Sequence, residues 1–203
     1  MPADEQDLRI HLGEARNQGA RPTCLSFSLS EIHQSAISLA ELLSPESLHR
    51  HAAQRANKTA NVGLTISEAT EGLAQDGQTT EMAWPYNSEA PVQQPCAFYQ
   101  SNAFAVSFSS ATVLDTLKSG KPISLVIDVD LPFYSCNGIT PLSLLNGSQI
   151  QGRHAVVICG IRTLEGKVEY FIKNSWGKDW GHHGHAWLTT QYILGRSPQL
   201  IRI

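Results

Sequence analysis

The stretch that decides the fold is RNQGARPTCLSFSLSEIHQ, residues 16–34. Apolar side chains follow Cys24 at steps of four and three residues, and this spacing continues as far as Leu43. Such spacing places them on one face of an α-helix, so we predict a helix that begins near Cys24 and continues to Leu43. A cysteine at the start of a helix is either a small buried side chain or a nucleophile, and the rest of the chain must distinguish the two.

Composition and charge limit the class of protein. Of the 203 residues, 41% are hydrophobic and 16% are charged, which is the balance of an ordinary globular chain. Fifteen basic and eighteen acidic residues give a net charge of -3, without a dense Lys/Arg run. We therefore expect neither nucleic acid nor a membrane as a partner.

The N-terminus and the cysteines indicate a compartment. The first 20 residues are polar and acidic, unlike a secretory signal. Cys24, Cys96, Cys136 and Cys159 are widely spaced and form no CxxC pair, so we expect no zinc site. We expect reduced thiols and a protein that is cytoplasmic or delivered from the cytoplasm. A disulfide between Cys96 and Cys136 is the alternative.

Helices and strands separate along the chain. Further helices are predicted from the capping residues Ser44 and Thr65 and at residues 110–120. The later part contains β-branched and aromatic runs at residues 122–129, 154–163, 168–176 and 185–190. Helices at about 20–105 and strands at about 106–203 predict an α+β fold within a single domain, residues 1–203.

Three motifs carry candidate chemistry. The first is Gln18 with Cys24, the second is GRHAVVICGI at residues 152–161, and the third is NSWGKDWG at residues 174–181. His154 and Asn174 follow Cys24 by 130 and 150 residues. A thiol becomes an effective nucleophile when a helix N-terminus and a histidine stabilise its thiolate. The order of the three motifs therefore favours nucleophilic catalysis at Cys24.

With these motifs the chain resembles the papain-like cysteine peptidases over most of its length. The residues that carry the resemblance are NQGARPTC, HAVVICG, NSWGKDWG and, in the middle of the chain, GLTISEATEGLAQDGQTTEMAWPY. In papain-type enzymes the His and Asn lie about 130–150 residues after the Cys. The resemblance implies a helical half packed against an antiparallel, barrel-like β half that includes the N-terminal segment, with the active site in the cleft between them. The RPTC variant is similar to that of bacterial members.

The resemblance also assigns roles to individual residues. It implies that Cys24 is the nucleophile, that His154 holds and delivers the proton, and that Asn174 orients the histidine ring. The Gln18 side chain and the Cys24 backbone amide would donate to an oxyanion. The indole that covers the His–Asn hydrogen bond would be Trp176. No metal and no cofactor are implied.

Other positions are weighed in the same way. Gly63 would let a substrate backbone pair with the protein's own backbone, although a plain loop glycine fits nearly as well. Many secreted members have a second cysteine three residues before the nucleophile, where this chain has Arg21. The stretch 84–86, Trp-Pro-Tyr, is interpreted as a structural corner. The triplet His182, His183 and His185 is not expected to bind metal, because neighbouring side chains of a strand point to opposite faces.

The function predicted is hydrolysis of peptide bonds through a thioester intermediate. The alternatives are a deamidase, isopeptidase or transpeptidase that uses the same residues, or a catalytically silent relative that binds a partner. A polypeptide is the expected substrate. The long insertion at residues 131–153 either narrows the cleft or recruits a regulatory protein. A bacterial origin is expected, and delivery as an effector is one of several settings consistent with the sequence.

Overall fold

A computed structural model describes residues 5–94 and 96–203, and the chain divides into two units. The sheet unit comprises residues 5–17 and Val106–Ile201, and the helical unit comprises Gln18–Ala105 with Arg202–Ile203. None of the helices formed by the described residues has the length and apolar character needed to cross a membrane. That residues 1–203 form a single domain stays a prediction.

In the described part of the helical unit the helices are α1 (Cys24–Ala36), α2 (Pro45–Arg55) and α3 (Ile66–Gln75). The predicted capping residues begin the last two. The Ser44 hydroxyl accepts from the amide of Ser47 ahead of α2. Thr65 and Glu68 form a reciprocal capping box ahead of α3. Each cap satisfies amides that a helix leaves without partners in its first turn, which fixes where the helix begins.

The predicted extension of α1 to Leu43 is wrong, because α1 ends at Ala36. Ser38, two residues later, has a φ of 52°, a left-handed conformation that cannot continue a right-handed helix. Leu43 is nevertheless fully buried and pairs with Thr80 through an isolated bridge. Helical spacing therefore continues past the helix because the following loop also directs Leu43 inward.

The sheet unit alternates strands with short helices. Its elements, of which β2 and β7 run one or two residues past the bounds of the unit, are β1 (Gln6–Asp7), a 3-10 helix (Arg9–His11), β2 (Phe104–Ser107), α4 (Ser110–Lys118), β3 (Ile123–Asp130), α5 (Leu131–Tyr134), β4 (Ile150–Leu164), β5 (Lys167–Lys173), β6 (His185–Thr189), α6 (Thr190–Leu194) and β7 (Gln199–Arg202). The strand order is β2-β7-β3-β4-β5-β6, with β1 beside β4. The predicted α+β class with an antiparallel β half is confirmed. The barrel-like closure is wrong, because the described strands form an open sheet that ends at β2 and β6.

The buried core fixes the register of the central strands. Ile127 on β3 and Ile158 on β4 are fully buried, and so is Tyr170 on β5. Burial of one such side chain contributes about 1.5–3 kcal/mol, whereas a slip of one residue would turn it to the opposite face. The β4–β5 turn consists of Glu165 and Gly166, both with positive φ, as a two-residue hairpin requires. Register and turn together determine where β4 and β5 present their polar residues.

The predicted insertion pairs with β6 at Leu142, and Ser148 near its end makes a further hydrogen bond. The Leu142 amide donates to the Trp187 carbonyl at 2.8 Å, and the Leu142 carbonyl accepts from the Thr189 amide at 3.0 Å. Ser148 then donates to the carboxylate of Asp130 at 2.6 Å. The insertion therefore adds a short paired segment to β6 and returns to the end of β3.

Candidate active site

His154 lies on β4, opposite Ile127 of β3, and its ring is buried. Its Nε2 lies 2.7 Å from Oδ1 of Asn174. Asn174 directly follows β5, and its amide donates to the Gly184 carbonyl at 2.9 Å. Two adjacent strands thus bring together a histidine and an asparagine that are twenty residues apart in the sequence.

The bond to Asn174 determines the histidine tautomer. The amide of Ser175 donates to the same Oδ1 at 2.8 Å, which supports the placement of the oxygen rather than the nitrogen there. An amide oxygen only accepts, so Nε2 of His154 carries the proton. In the neutral ring Nδ1 then has a lone pair, which is the form that a general base requires.

Aromatic rings surround this pair. The Trp176 ring centroid lies 4.5 Å from that of His154, and Tyr134 stacks on Trp176 at 4.8 Å. Phe133 meets the edge of Trp176 at 5.6 Å, and its carbonyl accepts from the Trp180 indole at 3.1 Å. The family resemblance predicts Trp176 at this place. Tyr134 and Phe133 were missed, because only their position near the start of the insertion marks them.

Burial controls the charge of the histidine. It lowers the pKa of His154 from 6.5 to about 4, and the hydrogen bond to Asn174 opposes this only in part. Without a nearby anion, the His154 ring is therefore neutral above about pH 4. A nearby anion would raise this pKa, because it stabilises the imidazolium.

Cys24 is the first residue of α1 and is partly buried. A helix of 13 residues carries a partial positive charge at this end, which favours a thiolate. Gln18 is buried, and its Nε2 donates to the Arg21 carbonyl at 2.8 Å. Gly19 between them has a φ of 60°, so the chain turns sharply ahead of α1. The helical unit thus holds the predicted nucleophile and the predicted oxyanion donor in one short segment.

Gly63 lies near the same segment of the helical unit. A Cβ placed on it would lie 3.5 Å from Cβ of Pro22, an ordinary contact. The Gly63 carbonyl accepts from Lys58 Nζ at 3.3 Å. Space alone therefore does not require glycine here, and its role in binding substrate stays a prediction.

The predicted residues fall into two sets. The sheet unit brings His154, Asn174 and Trp176 into contact. The helical unit contains Gln18, Cys24 and Gly63. The catalytic roles of all six stay predictions.

Sequence reasoning missed two further residues of the helical unit. Tyr86, interpreted as part of a structural corner, donates its hydroxyl proton to the Gln18 carbonyl at 2.8 Å. Arg21, noted only as a departure from the family pattern, pairs with Glu46. Their contacts span more than twenty residues of sequence, so no local spacing indicates them.

The structure also describes the other cysteines and the histidine triplet noted in the sequence. All four cysteines lie among the described residues, and no disulfide joins any of them. His185 stacks on Phe171, and its Nδ1 lies 2.8 Å from the His183 carbonyl. Across residues 5–94 and 96–203, no three His, Cys, Asp or Glu side chains are grouped as a metal would require.

Comparisons with known proteins place this geometry in a family. The family model described as papain family cysteine protease matches residues 2–195. Pro-cathepsin H of Medicago truncatula is 29% identical over 91% of this chain and 56% of its own length. The chain therefore spans little more than half of that relative.

Solved structures share the fold at low sequence identity. Procathepsin B S9 of Trypanosoma congolense superposes with a TM-score of 0.81 at 14% identity, over 97% of this chain and 76% of its own. Xylellain, a cysteine protease of Xylella fastidiosa, gives a TM-score of 0.79 at 18% identity, over 98% and 85%. Because the family model covers nearly the whole sequence, the chain belongs to the papain family of cysteine proteases.

Proposed function

We propose that the protein is a cysteine peptidase that hydrolyses peptide bonds through a thioester on Cys24. The observation that carries the proposal is the buried hydrogen bond from His154 Nε2 to Asn174 Oδ1, with Trp176 against the imidazole ring. It fixes a neutral imidazole whose Nδ1 can accept a proton.

The proposed reaction has two stages. Nδ1 of His154 takes the thiol proton of Cys24, and the resulting thiolate attacks the peptide carbonyl carbon. When the C–N bond breaks, the leaving amine takes the proton from His154, and the acyl group remains as a thioester. A water molecule then gives a proton to His154 and attacks the thioester, which releases the carboxylic acid and returns the thiol.

The oxyanion of both stages needs donors. We assign this role to the side-chain N–H of Gln18 and to the backbone N–H of Cys24. Each such donor typically contributes about 3 kcal/mol to the stability of the transition state. Asn174 acts on the histidine alone, because its oxygen holds Nε2–H throughout the cycle.

The substrate is proposed at the level of the family, as a polypeptide. Pro-cathepsin H and procathepsin B carry the prefix of a precursor in their names, and the chain matches only part of each. Regulation by a protein partner, a bacterial origin, delivery as an effector and a cytoplasmic location stay predictions.

The test measures two reactions of one thiol. Alkylation of each cysteine by iodoacetamide is followed from pH 4 to 9, by peptide mass spectrometry, in the parent, His154→Ala and Cys96→Ala. Hydrolysis of a mixed fluorogenic peptide library is measured in parallel. Cys96→Ala is the matched control, because Cys96 is partly buried in the same unit as Cys24.

We expect rapid alkylation of Cys24 at pH 5–6 that His154→Ala abolishes and Cys96→Ala preserves. Peptide hydrolysis should follow the same pattern. If Cys24 reacts only as an ordinary thiol near pH 8.5, the proposal is wrong. Rapid alkylation without hydrolysis, but with release of ammonia from glutamine peptides or with transfer to an added amine, would favour the deamidase or the transpeptidase.

A further inference from the structure

The segment between Gln18 and Cys24 is held by one phenol. The Tyr86 hydroxyl donates to the Gln18 carbonyl at 2.8 Å and lies 2.8 Å from the Thr23 hydroxyl. Since a phenol has a single proton and the carbonyl takes it, Thr23 must donate to the Tyr86 oxygen. Thr23 immediately precedes α1. One side chain thus fixes both ends of the loop that leads into Cys24.

The ring of Tyr86 is itself fixed in place. Phe27 of α1 meets it edge to face, with centroids 4.8 Å apart and planes at 78°. The guanidinium carbon of Arg21 lies 5.2 Å from the ring centroid, within the range of a cation–π contact. Burial raises the pKa of the Tyr86 hydroxyl, so the phenol keeps its proton at neutral pH.

Arg21 connects this loop to three other segments of the helical unit. Its Nη1 donates to Glu46 at 2.5 Å and to the side-chain oxygen of Asn87 at 3.1 Å. Its Nη2 donates to Glu46 at 3.2 Å and to the Ala60 carbonyl at 3.0 Å. A planar guanidinium whose two terminal nitrogens both donate hydrogen bonds has little freedom to rotate.

Glu46 completes the arrangement, because it is a fully buried carboxylate in the first turn of α2. Burial by itself would raise the pKa of Glu46. Arg21, the Asn87 amide and Arg50 together hold that pKa below its usual value. The carboxylate therefore stays charged, and removal of either arginine would leave a buried charge poorly compensated.

We propose that Arg21, Glu46 and Tyr86 form a clamp that positions Gln18 as the oxyanion donor. The inference rests on the proposed function, because only that function makes Gln18 an oxyanion donor. The Tyr86 hydroxyl fixes the Gln18 backbone, and the Arg21 carbonyl accepts from the Gln18 side chain at 2.8 Å. A donor helps only when it is preorganised toward the developing charge, so a loosened Gln18 would slow acyl transfer. Tyr86 is a positioning residue that acts through Gln18.

The test is Tyr86→Phe, which keeps the ring, its contact with Phe27 and its contact with Arg21. Tyr99→Phe is the matched control, because it makes the same chemical change in the same unit. Three quantities are measured: kcat and KM for a peptide amide, the alkylation rate of Cys24 at pH 6, and the midpoint of thermal unfolding. Alkylation requires the Cys24 thiolate but forms no oxyanion. It therefore separates an effect on the nucleophile from an effect on the Gln18 donor.

For Tyr86→Phe we expect about a tenfold fall in kcat, because a displaced donor loses part of the 10²–10³-fold effect of a deleted one. KM and the alkylation rate should stay within about twofold of the parent, and Tyr99→Phe should match the parent throughout. Arg21→Lys should lower kcat in the same way, because an ammonium cannot reproduce the planar fork.

Two outcomes would overturn the clamp alone. Unchanged kcat in Tyr86→Phe would show that the hydroxyl positions nothing. A fall in kcat that is matched by equal falls in alkylation rate and in thermal stability would show a merely structural role. If the parent itself shows neither rapid alkylation nor hydrolysis, the proposed function fails, and the clamp fails with it.

Discussion

The sheet unit and the helical unit hold their candidate catalytic groups by different physical means. In the sheet unit, aromatic rings surround His154 and a single hydrogen bond orients it. In the helical unit, paired charges and a phenol hold the loop before Cys24. Burial sets the protonation state of the first group, whereas ion pairs set the position of the second. The comparison indicates that apolar cover keeps a buried histidine neutral, whereas paired charges hold a loop in one position.

Both units also contain a buried carboxylate paired with arginine, which makes them directly comparable. Asp130 in the sheet unit pairs with Arg196, and both side chains are almost fully buried. Glu46 pairs with Arg21 and Arg50, whose side chains are 20% and 28% exposed. Water can therefore compensate a lost partner in the helical unit better than in the sheet unit.

The largest expected effect comes from these two carboxylates. Asp130→Asn should lower the free energy of unfolding by about 3–4 kcal/mol, because it leaves the buried charge of Arg196 without its partner. Glu46→Gln should lower it by about 2–3 kcal/mol, because Arg21 and Arg50 lose their partner but are partly exposed to water. Urea denaturation at pH 7 measures both. Asp7→Asn is the control, since Asp7 and Arg9 are 41% and 46% exposed and such pairs contribute at most about 1 kcal/mol. Equal losses in all three variants would refute the importance of burial.

Asn174 tests how much the sheet unit depends on one hydrogen bond. Asn174→Ala should lower kcat/KM about 100-fold, because His154 would lose the acceptor that fixes its tautomer and its orientation. Steady-state kinetics on the peptide found in the library screen measures this. The exposed Asn102→Ala serves as the control and should leave kcat/KM unchanged. An Asn174→Ala enzyme with full activity would remove the orienting role.

Trp176 tests whether aromatic cover sets the charge of His154. Because burial lowers this pKa to about 4, Trp176→Leu should let it rise toward 6.5. A more basic ring keeps its proton to higher pH, so the alkaline limb of peptide hydrolysis, where the imidazolium that protonates the leaving amine is lost, should move to higher pH by about 1–2 units. Trp187→Leu, at a partly buried tryptophan of the same unit, should leave the limb in place. A similar shift in both variants would count against a local effect.

The acid stability of the helical unit tests how burial affects its histidines. Burial lowers the pKa of His33 and of His49 from 6.5 to about 4. The unfolded chain then binds protons first, so stability is complete above about pH 6.5 and falls as the pH drops toward 4. Urea midpoints at four pH values in this window measure the slope. His33→Asn should flatten it while keeping an acceptor for Gln78, whose Nε2 now lies 2.7 Å from His33 Nδ1. The exposed His182→Gln should not change the slope.

Local patterns predicted much of the fold. The strand predicted at residues 154–163 falls within β4, and the one predicted at 168–176 overlaps β5. Both could be predicted because β-branched runs and a two-residue turn depend on neighbouring residues alone. The capping box at Thr65 begins α3 as expected. The end of α1 was missed, because apolar spacing cannot show that Ser38 adopts positive φ.

The candidate site also contains some residues that could be predicted and others that could not. The resemblance to the papain-like peptidases predicted that His154, Asn174 and Trp176 meet, and pairing of adjacent strands brings them together. Tyr86 and Arg21 could not be predicted as partners of the Gln18 loop. Tyr86 reaches a carbonyl 68 residues before it, and Glu46 lies 25 residues from Arg21. Such contacts depend on how helices pack, and no periodicity of the sequence records them.

The pairing of Leu142 with β6 should also influence self-association of the protein at high concentration. A strand with unpaired amides and carbonyls can template the association of further chains. The insertion occupies part of β6 through the two bonds of Leu142 to Trp187 and Thr189. A variant that lacks residues 138–145 should therefore form soluble oligomers or precipitate, even if its thiol keeps its reactivity. Such a result would assign the insertion a second role, as a cover for the edge of the sheet at β6.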